Sequence, residues 1–227
     1  MPRIARAAPG GLIYHVLNRG VGRMTLFEDD ADYVAFLRVF RDVLEDKPMR
    51  VCGYCLMPNH WHLVLWPQED GDLARFMQRL TITHVRRWVE HRHRVGWGSI
   101  YQGRYKSFAM QDDIHFRTVV RYVERNPLRP GLVKRAEAWR YSSLGQIDAG
   151  PDHPLIPIST WPVSRRRDWT EWVNAPQTAA EESAVRHALS TNRPYGSADW
   201  VTEKERQLNL PPLRKRGRPR KMKGGPE

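Results

Sequence analysis

Met49-Arg50-Val51-Cys52-Gly53-Tyr54-Cys55-Leu56-Met57-Pro58-Asn59-His60-Trp61-His62-Leu63-Val64-Leu65-Trp66 is the stretch from which the fold can be read. Two runs rich in apolar and aromatic residues flank a Pro58-Asn59 turn, and Pro67 stops the second. Such runs are strands, over residues 49–57 and 60–66, and so short a connection makes them antiparallel neighbours. Strand side chains alternate between faces. His60 and His62 therefore share one face, ~6.6 Å apart along the chain. Trp61, Leu63 and Leu65 point the other way, into the core. The same alternation puts Cys52 and Cys55 on opposite faces. With no second cysteine pair to complete a metal site, they read as buried structural thiols rather than a redox or zinc pair.

Outward from this hairpin the pattern extends in both directions. Residues 12–18 form a strand bracketed by glycines. Residues 28–44 carry Tyr33, Phe36, Leu37, Phe40, Val43 and Leu44 at helical spacing, with Asp29, Asp30 and Asp32 in the first turn. Residues 72–91 form a second helix, with Leu73, Phe76, Met77, Leu80, His84 and Trp88 on one stripe. Segment 99–110 holds a fourth strand. Asp112 and Asp113 cap a third helix that runs to about Arg125, where Asn126-Pro127 closes it. The first six elements follow a β-α-β-β-α-β order. This predicts an α+β, ferredoxin-like two-layer sandwich: an antiparallel sheet with helices packed on one face, because each helix has one apolar stripe to bury. Residues 1–145 make this domain. Residues 146–212, rich in proline and isolated tryptophans, are expected to form an irregular appendage with a short helix near residues 179–189. Residues 213–227 form a basic tail that cannot build a core.

The chain has 227 residues, 41% of them hydrophobic, enough for one ordinary domain and an extension. No apolar run approaches the ~20 residues of a membrane span, and the N-terminus does not read as a signal peptide. A cytoplasmic, nucleoid-associated protein is expected. Lys and Arg number 37 against 25 acidic residues, a net charge of +12. That balance favours a polyanionic partner, and the arginine excess favours phosphate contacts.

Two imidazoles on one sheet face can hold a divalent ion, provided oxygen ligands complete the shell. Alone, however, His-x-His reads as readily as two satisfied polar residues on a half-exposed strand. Tyr122 and Asn126 lie four apart, hence on one helical face. Asn126 could lend its carbonyl oxygen as a third ligand and Tyr122 could act as a nucleophile one turn away. The bland alternatives are a packed aromatic on an amphipathic helix and an ordinary helix-terminal asparagine.

Four blocks shift that balance. They are Tyr14-His15-Val16-Leu17-Asn18-Arg19-Gly20, then Tyr54 to Val64 with its Met57-Pro58-Asn59-His60-Trp61-His62 centre, then Gly103-Arg104-Tyr105 with Tyr122 to Val133, then Trp139-Arg140-Tyr141-Ser142-Ser143. Over about residues 9–145 the chain resembles the tyrosine transposases of the IS200/IS605 type, single-strand DNA nucleases of the HUH class, and among them the REP-associated group of bacteria. The resemblance implies that His60 and His62 bind a divalent cation, Mg2+ or Mn2+, and that Tyr122 attacks single-stranded DNA. The products would be a 5′-phosphotyrosine link and a free 3′-hydroxyl. It also implies a hairpin-bearing substrate and a monomer as in the REP-associated group, with the dimer of the insertion-sequence enzymes as the alternative. Asn126 stands where the insertion-sequence enzymes carry a glutamine ligand, a departure that leaves it the least secure of the set.

DNA contacts are expected from Arg19 and Arg104 and from the tail, where Arg214, Lys215, Arg216, Arg218, Arg220 and Lys221 surround an AT-hook-like Arg-Gly-Arg-Pro-Arg run. An extended Gly-Arg-Pro segment can follow a narrow minor groove, where negative potential attracts arginine. The rival reading is a non-catalytic nucleic-acid-binding protein with the same charge and no covalent product.

Overall fold

The computed structural model describes residues 8–213, Trp97 excepted. The basic residues Arg214 to Lys221 lie outside them. Strands β1 (Ile13–Arg19), β2 (Arg50–Met57), β3 (His60–Trp66) and β4 (Lys106–Met110) form one antiparallel sheet in the order β2-β3-β1-β4. Helices α1 (Asp30–Asp46) and α2 (Asp72–His91) connect them in the split arrangement that the pattern predicts. The mixed α/β fold with a small antiparallel sheet is thus as expected, and α2 and β3 keep their predicted bounds. The fourth strand fills only the end of its predicted segment.

Each helix forms for a local reason. The Asp29 carboxylate caps α1 by accepting from the Asp32 amide at 3.0 Å, and acidic residues in its first turn complement the positive helix end. Tyr33, Phe36, Leu37, Phe40 and Val43 on α1 then pack with Phe76, Met77 and Leu80 of α2 against Tyr54, Leu56, Trp61, Leu63 and Leu65. At the centre of this layer Trp61 is fully buried. Its indole N–H donates to the Tyr101 hydroxyl at 2.9 Å, and Tyr101 lies 2.7 Å from His84 Nδ1. Burial holds the His84 pKa down to about 3, so its ring is neutral and can accept the Tyr101 proton. Anchoring Trp61 this way fixes which side of β3 carries its histidines.

The opposite sheet face is covered as well. Helix α3 (Ile114–Glu124) lies across it, capped by the Asp113 carboxylate, which accepts from the His115 amide at 2.8 Å. Phe116, Val119, Val120 and Val123 of α3 meet Ile13, Met57, Val64 and Phe108 of the sheet. Beyond α3 come α4 (Trp169–Asn174), α5 (Ala179–Thr191) and α6 (Ala198–Gln207). The predicted short helix is α5, which runs two residues further than expected. Residues after 145 also cover the sheet edges. Tyr195 bonds to β4 through its amide to Ala109 O at 2.8 Å, and Ser159 bonds to β2 through its amide to Val51 O at 2.8 Å. These bonds occupy part of each edge, where another chain could otherwise pair.

The cysteines depart from the alternation. Cys52 and Cys55 both face the α3 layer, not opposite faces. A β-bulge is the cause: the pairing steps from Val51↔Leu65 to Gly53↔Val64, leaving Cys52 as an extra residue. Both thiols are buried and free, as the structural reading expects, and burial pushes Cys52 up to about 12. The bulge also turns Gly53 toward α3, where an added Cβ would meet Val120 Cγ1 and Ser143 Oγ at 3.3 Å each. Gly53→Val should therefore lower stability by about 1–3 kcal/mol through overpacking. Urea titration checks this; an unchanged midpoint would mean that α3 can simply move aside.

Candidate functional site

His60 and His62 leave β3 on the α3 side, on the same face, with ring centroids 5.0 Å apart. The shared face is as predicted. Its exposure is not: α3 covers it, so His60 is only half-buried but His62 is 2% exposed. A neighbour holds each ring at Nδ1. His60 Nδ1 donates to Asn59 Oδ1 at 2.6 Å, and the Asn59 amide is oriented by its own Nδ2, which donates to Arg23 O at 3.3 Å. His62 Nδ1 lies 2.8 Å from His15 Nε2 on β1. With His62 Nδ1 as the donor, Nε2 of both β3 histidines keeps a lone pair. That arrangement matches the way metal-binding imidazoles are held through their other nitrogen.

The electrostatics agree. Burial, then Arg19, lowers the His60 pKa to about 4. Burial, then His15 and His60, holds His62 well below its ordinary value, and burial alone takes His15 to about 3. All three rings are neutral near pH 7, the form that a cation requires. Arg19 pairs with His60 across the strands, and its guanidinium Nε is buried without a hydrogen-bond partner. Arg104 is exposed in the segment leading to β4.

Tyr122 reaches the same place from α3. Its ring centroid is 6.1 Å from that of His62 and 6.5 Å from that of His15, edge-on to both. It is 6% exposed. Asn126, one turn on, opens a 3-10 turn (Asn126–Leu128), and its Nδ2 donates to Tyr122 O at 3.4 Å. The Asn126 amide oxygen takes no part in that bond. Arg129 lays its guanidinium over the Tyr122 ring, 3.8 Å from the centroid. The helix itself is pinned by Glu124, which accepts from Ser143 Oγ at 2.6 Å and Trp169 Nε1 at 2.7 Å.

One chain thus gathers two neutral imidazoles, a tyrosine and an amide. Among the described residues no group of three His, Cys, Asp or Glu converges on a point that could hold a metal. An ion here would need Nε2 of His60 and His62 plus oxygen from Asn126 or from a substrate. The donor chemistry fits that requirement, since imidazoles accept harder ions when oxygens complete the shell. Three neighbours escaped the sequence reading as members of the site. The positions of His15 and Asn59 were visible only within the quoted blocks. Arg129 follows Pro127, where helical spacing no longer predicts which side chains meet.

Comparison with known proteins bears on the family and the fold. A family described as "Transposase IS200 like" matches residues 10–126, just over half of the chain. A REP-associated tyrosine transposase of Escherichia coli is 27% identical over 119 residues, which cover 50% of this chain and 65% of that protein. A Haemophilus influenzae protein, provisionally given the same name, is 25% identical over 123 residues, covering 50% of this chain and 69% of the other. The chain therefore spans about two-thirds of the length of these relatives. A solved REP-associated tyrosine transposase bound to a REP hairpin shares the fold, with a TM-score of 0.51 and 20% identity over 71% of this chain and 95% of that one. No helix among the described residues is long and apolar enough to cross a membrane.

Proposed function

The chain belongs to the IS200-like transposase family, and from that premise we propose that it cuts and rejoins single-stranded, hairpin-bearing DNA of the REP type through Tyr122. The observation that carries this reading is the 6.1 Å separation of the Tyr122 and His62 rings within one chain. Because both partners come from the same chain, the reading includes a monomer as the working unit. The relatives named for REP elements, and the solved one bound to a REP hairpin, support the substrate. Such a substrate places the protein with the nucleoid in the cytoplasm.

In the proposed reaction the Tyr122 oxygen attacks a backbone phosphorus. A tyrosine O–P bond forms as the Tyr122 hydroxyl gives up its proton to solvent, the P–O3′ bond breaks, and the 3′-oxygen leaves as a hydroxyl after taking up a proton from solvent. Rejoining is the reverse, so the phosphodiester energy is kept in the covalent link and no nucleotide is consumed. His60 and His62, with Asn126, would hold Mg2+ or Mn2+. When bound, the ion supplies charge neutralisation and alignment at the scissile phosphate. The residues present do the rest: Asn59 and His15 hold the imidazoles, and α3 carries the tyrosine to them.

The test is incubation with a labelled single-stranded hairpin and Mg2+ or Mn2+, followed by denaturing electrophoresis. A protein–DNA adduct that survives denaturant is expected. Cleavage with no adduct at any time would instead mark a nuclease using water, and tight binding with neither product would mark a non-catalytic binder.

The tail extends the reading. Seven cations and no acid lie between Arg214 and Lys223, outside the described residues, and with Arg19 and Arg104 they are proposed DNA contacts. Deleting residues 213–227 should weaken hairpin binding and flatten its log–log salt dependence by about 0.7–0.9 per lost phosphate contact. Binding measured across a salt series checks this. An unchanged slope would show that the tail does not touch phosphates.

A further inference from the structure

Residues after 145 lie outside the matched family region, yet they make close polar contacts with the helix that carries Tyr122. Besides Glu124, which accepts from Trp169, and Arg117, which donates to Ser164 O at 3.1 Å, three arginines spaced four apart provide them. Arg121 donates to Trp172 O at 2.8 Å, Ala175 O at 2.8 Å and Pro176 O at 3.1 Å. Arg125 donates to Val173 O at 2.9 Å and Asn174 O at 2.6 Å. These carbonyls lie at the C-terminal end of α4 and just beyond it, the end of a helix that lacks intrahelical donors and favours cations. Arg129 completes the row. Its Nε donates to Glu182 Oε1 at 3.2 Å and its Nη2 to Gln177 Oε1 at 2.9 Å. The same guanidinium stacks on the Tyr122 ring at 3.8 Å and reaches Tyr122 O at 3.4 Å.

Such a set costs more than it returns unless it is satisfied. Arg121 is 4% exposed and Gln177 9%, and buried donors and acceptors are kept only where they are paired. Here the partners are backbone carbonyls and a fixed amide. Gln177 is itself tied back to α3, its Nε2 donating to Thr118 O at 3.4 Å. The guanidinium of Arg129 is therefore held by Gln177 and Glu182, with its carbon 3.8 Å from the centroid of the tyrosine ring. A cation held over an aromatic face restrains the ring as well as attracting it.

We infer that the α4–α5 segment is a clamp for the nucleophile: through Gln177 and Glu182 it presses Arg129 onto Tyr122 and holds the tyrosine ring edge-on to His62. Arg129 is a positioning residue, and the extension is part of the reaction machinery. This inference rests on the proposed role of Tyr122. Reactive alignment is sensitive to displacements of an ångström or less, so loosening the clamp should slow the chemistry without releasing DNA.

The experiment compares the full chain with Arg129→Ala, Arg129→Lys, a Gln177→Ala/Glu182→Ala pair, and the combination of that pair with Arg129→Ala. Two readouts are taken: the rate of adduct formation at saturating hairpin DNA, and hydrogen exchange of the amides in residues 114–126. Arg129→Ala and the pair are each expected to slow adduct formation by roughly tenfold, with hairpin affinity within about twofold, since neither touches the proposed phosphate contacts. Their combination should be no slower than the worse of the two, because both break the same link. Arg129→Lys keeps the charge but loses the planar fork, and should restore only part of the rate. Exchange near the C-terminal end of α3 should quicken in the same variants. Fully additive slowing would overturn the clamp. So would a faster adduct, which would make Arg129 a cover over Tyr122, or a loss confined to DNA affinity. If the unaltered protein makes no adduct, the function itself is wrong, while the exchange data still decide whether α4–α5 restrains α3.

Discussion

Tyr122→Phe is expected to abolish the denaturant-stable adduct and the free 3′-hydroxyl, slowing strand cleavage by about a thousandfold or more. The change removes one oxygen and keeps the ring. The phenyl group can still lie 3.8 Å under Arg129 and edge-on to His62, so the seat of α3 is preserved. Hairpin affinity should accordingly stay within about twofold, because Tyr122 is not among the proposed phosphate contacts. Two measurements read the result: the gel-shifted covalent species, and extension of the new 3′ end by a polymerase. Cleavage that persists at the original rate in the phenylalanine variant would remove Tyr122 from the chemistry and transfer it to water.

His60→Ala should depress cleavage by roughly a hundredfold and raise the metal concentration needed to support it. His60 is half-buried and its hydrogen bond is to the half-buried turn residue Asn59, so the fold should tolerate its loss. His62→Ala should match that loss of metal response and also destabilise the protein, by about 1–3 kcal/mol, since it empties a buried site and strands His15 Nε2. Isothermal titration with Mn2+ separates the two effects from folding, which thermal melting follows. The pH dependence has a definite sign. An ordinary histidine protonates as pH falls through its usual value near 6.5 and then competes with the ion. His60 is held to about 4 and His62 well below its ordinary value. Both stay neutral, so Mn2+ affinity should be nearly flat from pH 7.5 to about 6. A steep loss of affinity already at pH 6.5 would mean that burial does not hold the two imidazoles neutral.

The site was half legible before any coordinates. His60 and His62 share a face because strands alternate with a period of two, and Trp61 between them could only point to the core. Tyr122 and Asn126 share a face because a helix returns every fourth residue. Their mutual approach was not legible in this way. It depends on α3 crossing the sheet on the side away from α1 and α2, and nothing in the apolar stripe of α3 says which side of a sheet it will choose. The same crossing buries His62, which alternation alone would leave on a half-exposed strand.

By itself, the sequence determined the order of the strands and of the two helices behind them, the bounds of β3 and α2, the pairing of the histidines on one face, the basic balance and the family blocks. Those follow from local rules: periodicity, caps, prolines and short turns act over a few residues. Only the tertiary structure decided what meets across long separations. It turned Cys52 onto the same side as Cys55 through a bulge set by pairing with β3. It brought His15 to His62 across 47 positions of chain. It laid Arg129 on Tyr122 from a turn that proline had released from helical spacing, and it brought to that guanidinium Gln177 and Glu182, from just before and within a short helix whose docking partner its own pattern does not name. The physical reason is the same in each case. Which distant groups pair depends on the three-dimensional packing of layers and on the need to satisfy every buried polar atom, and neither condition is written in any short window of residues.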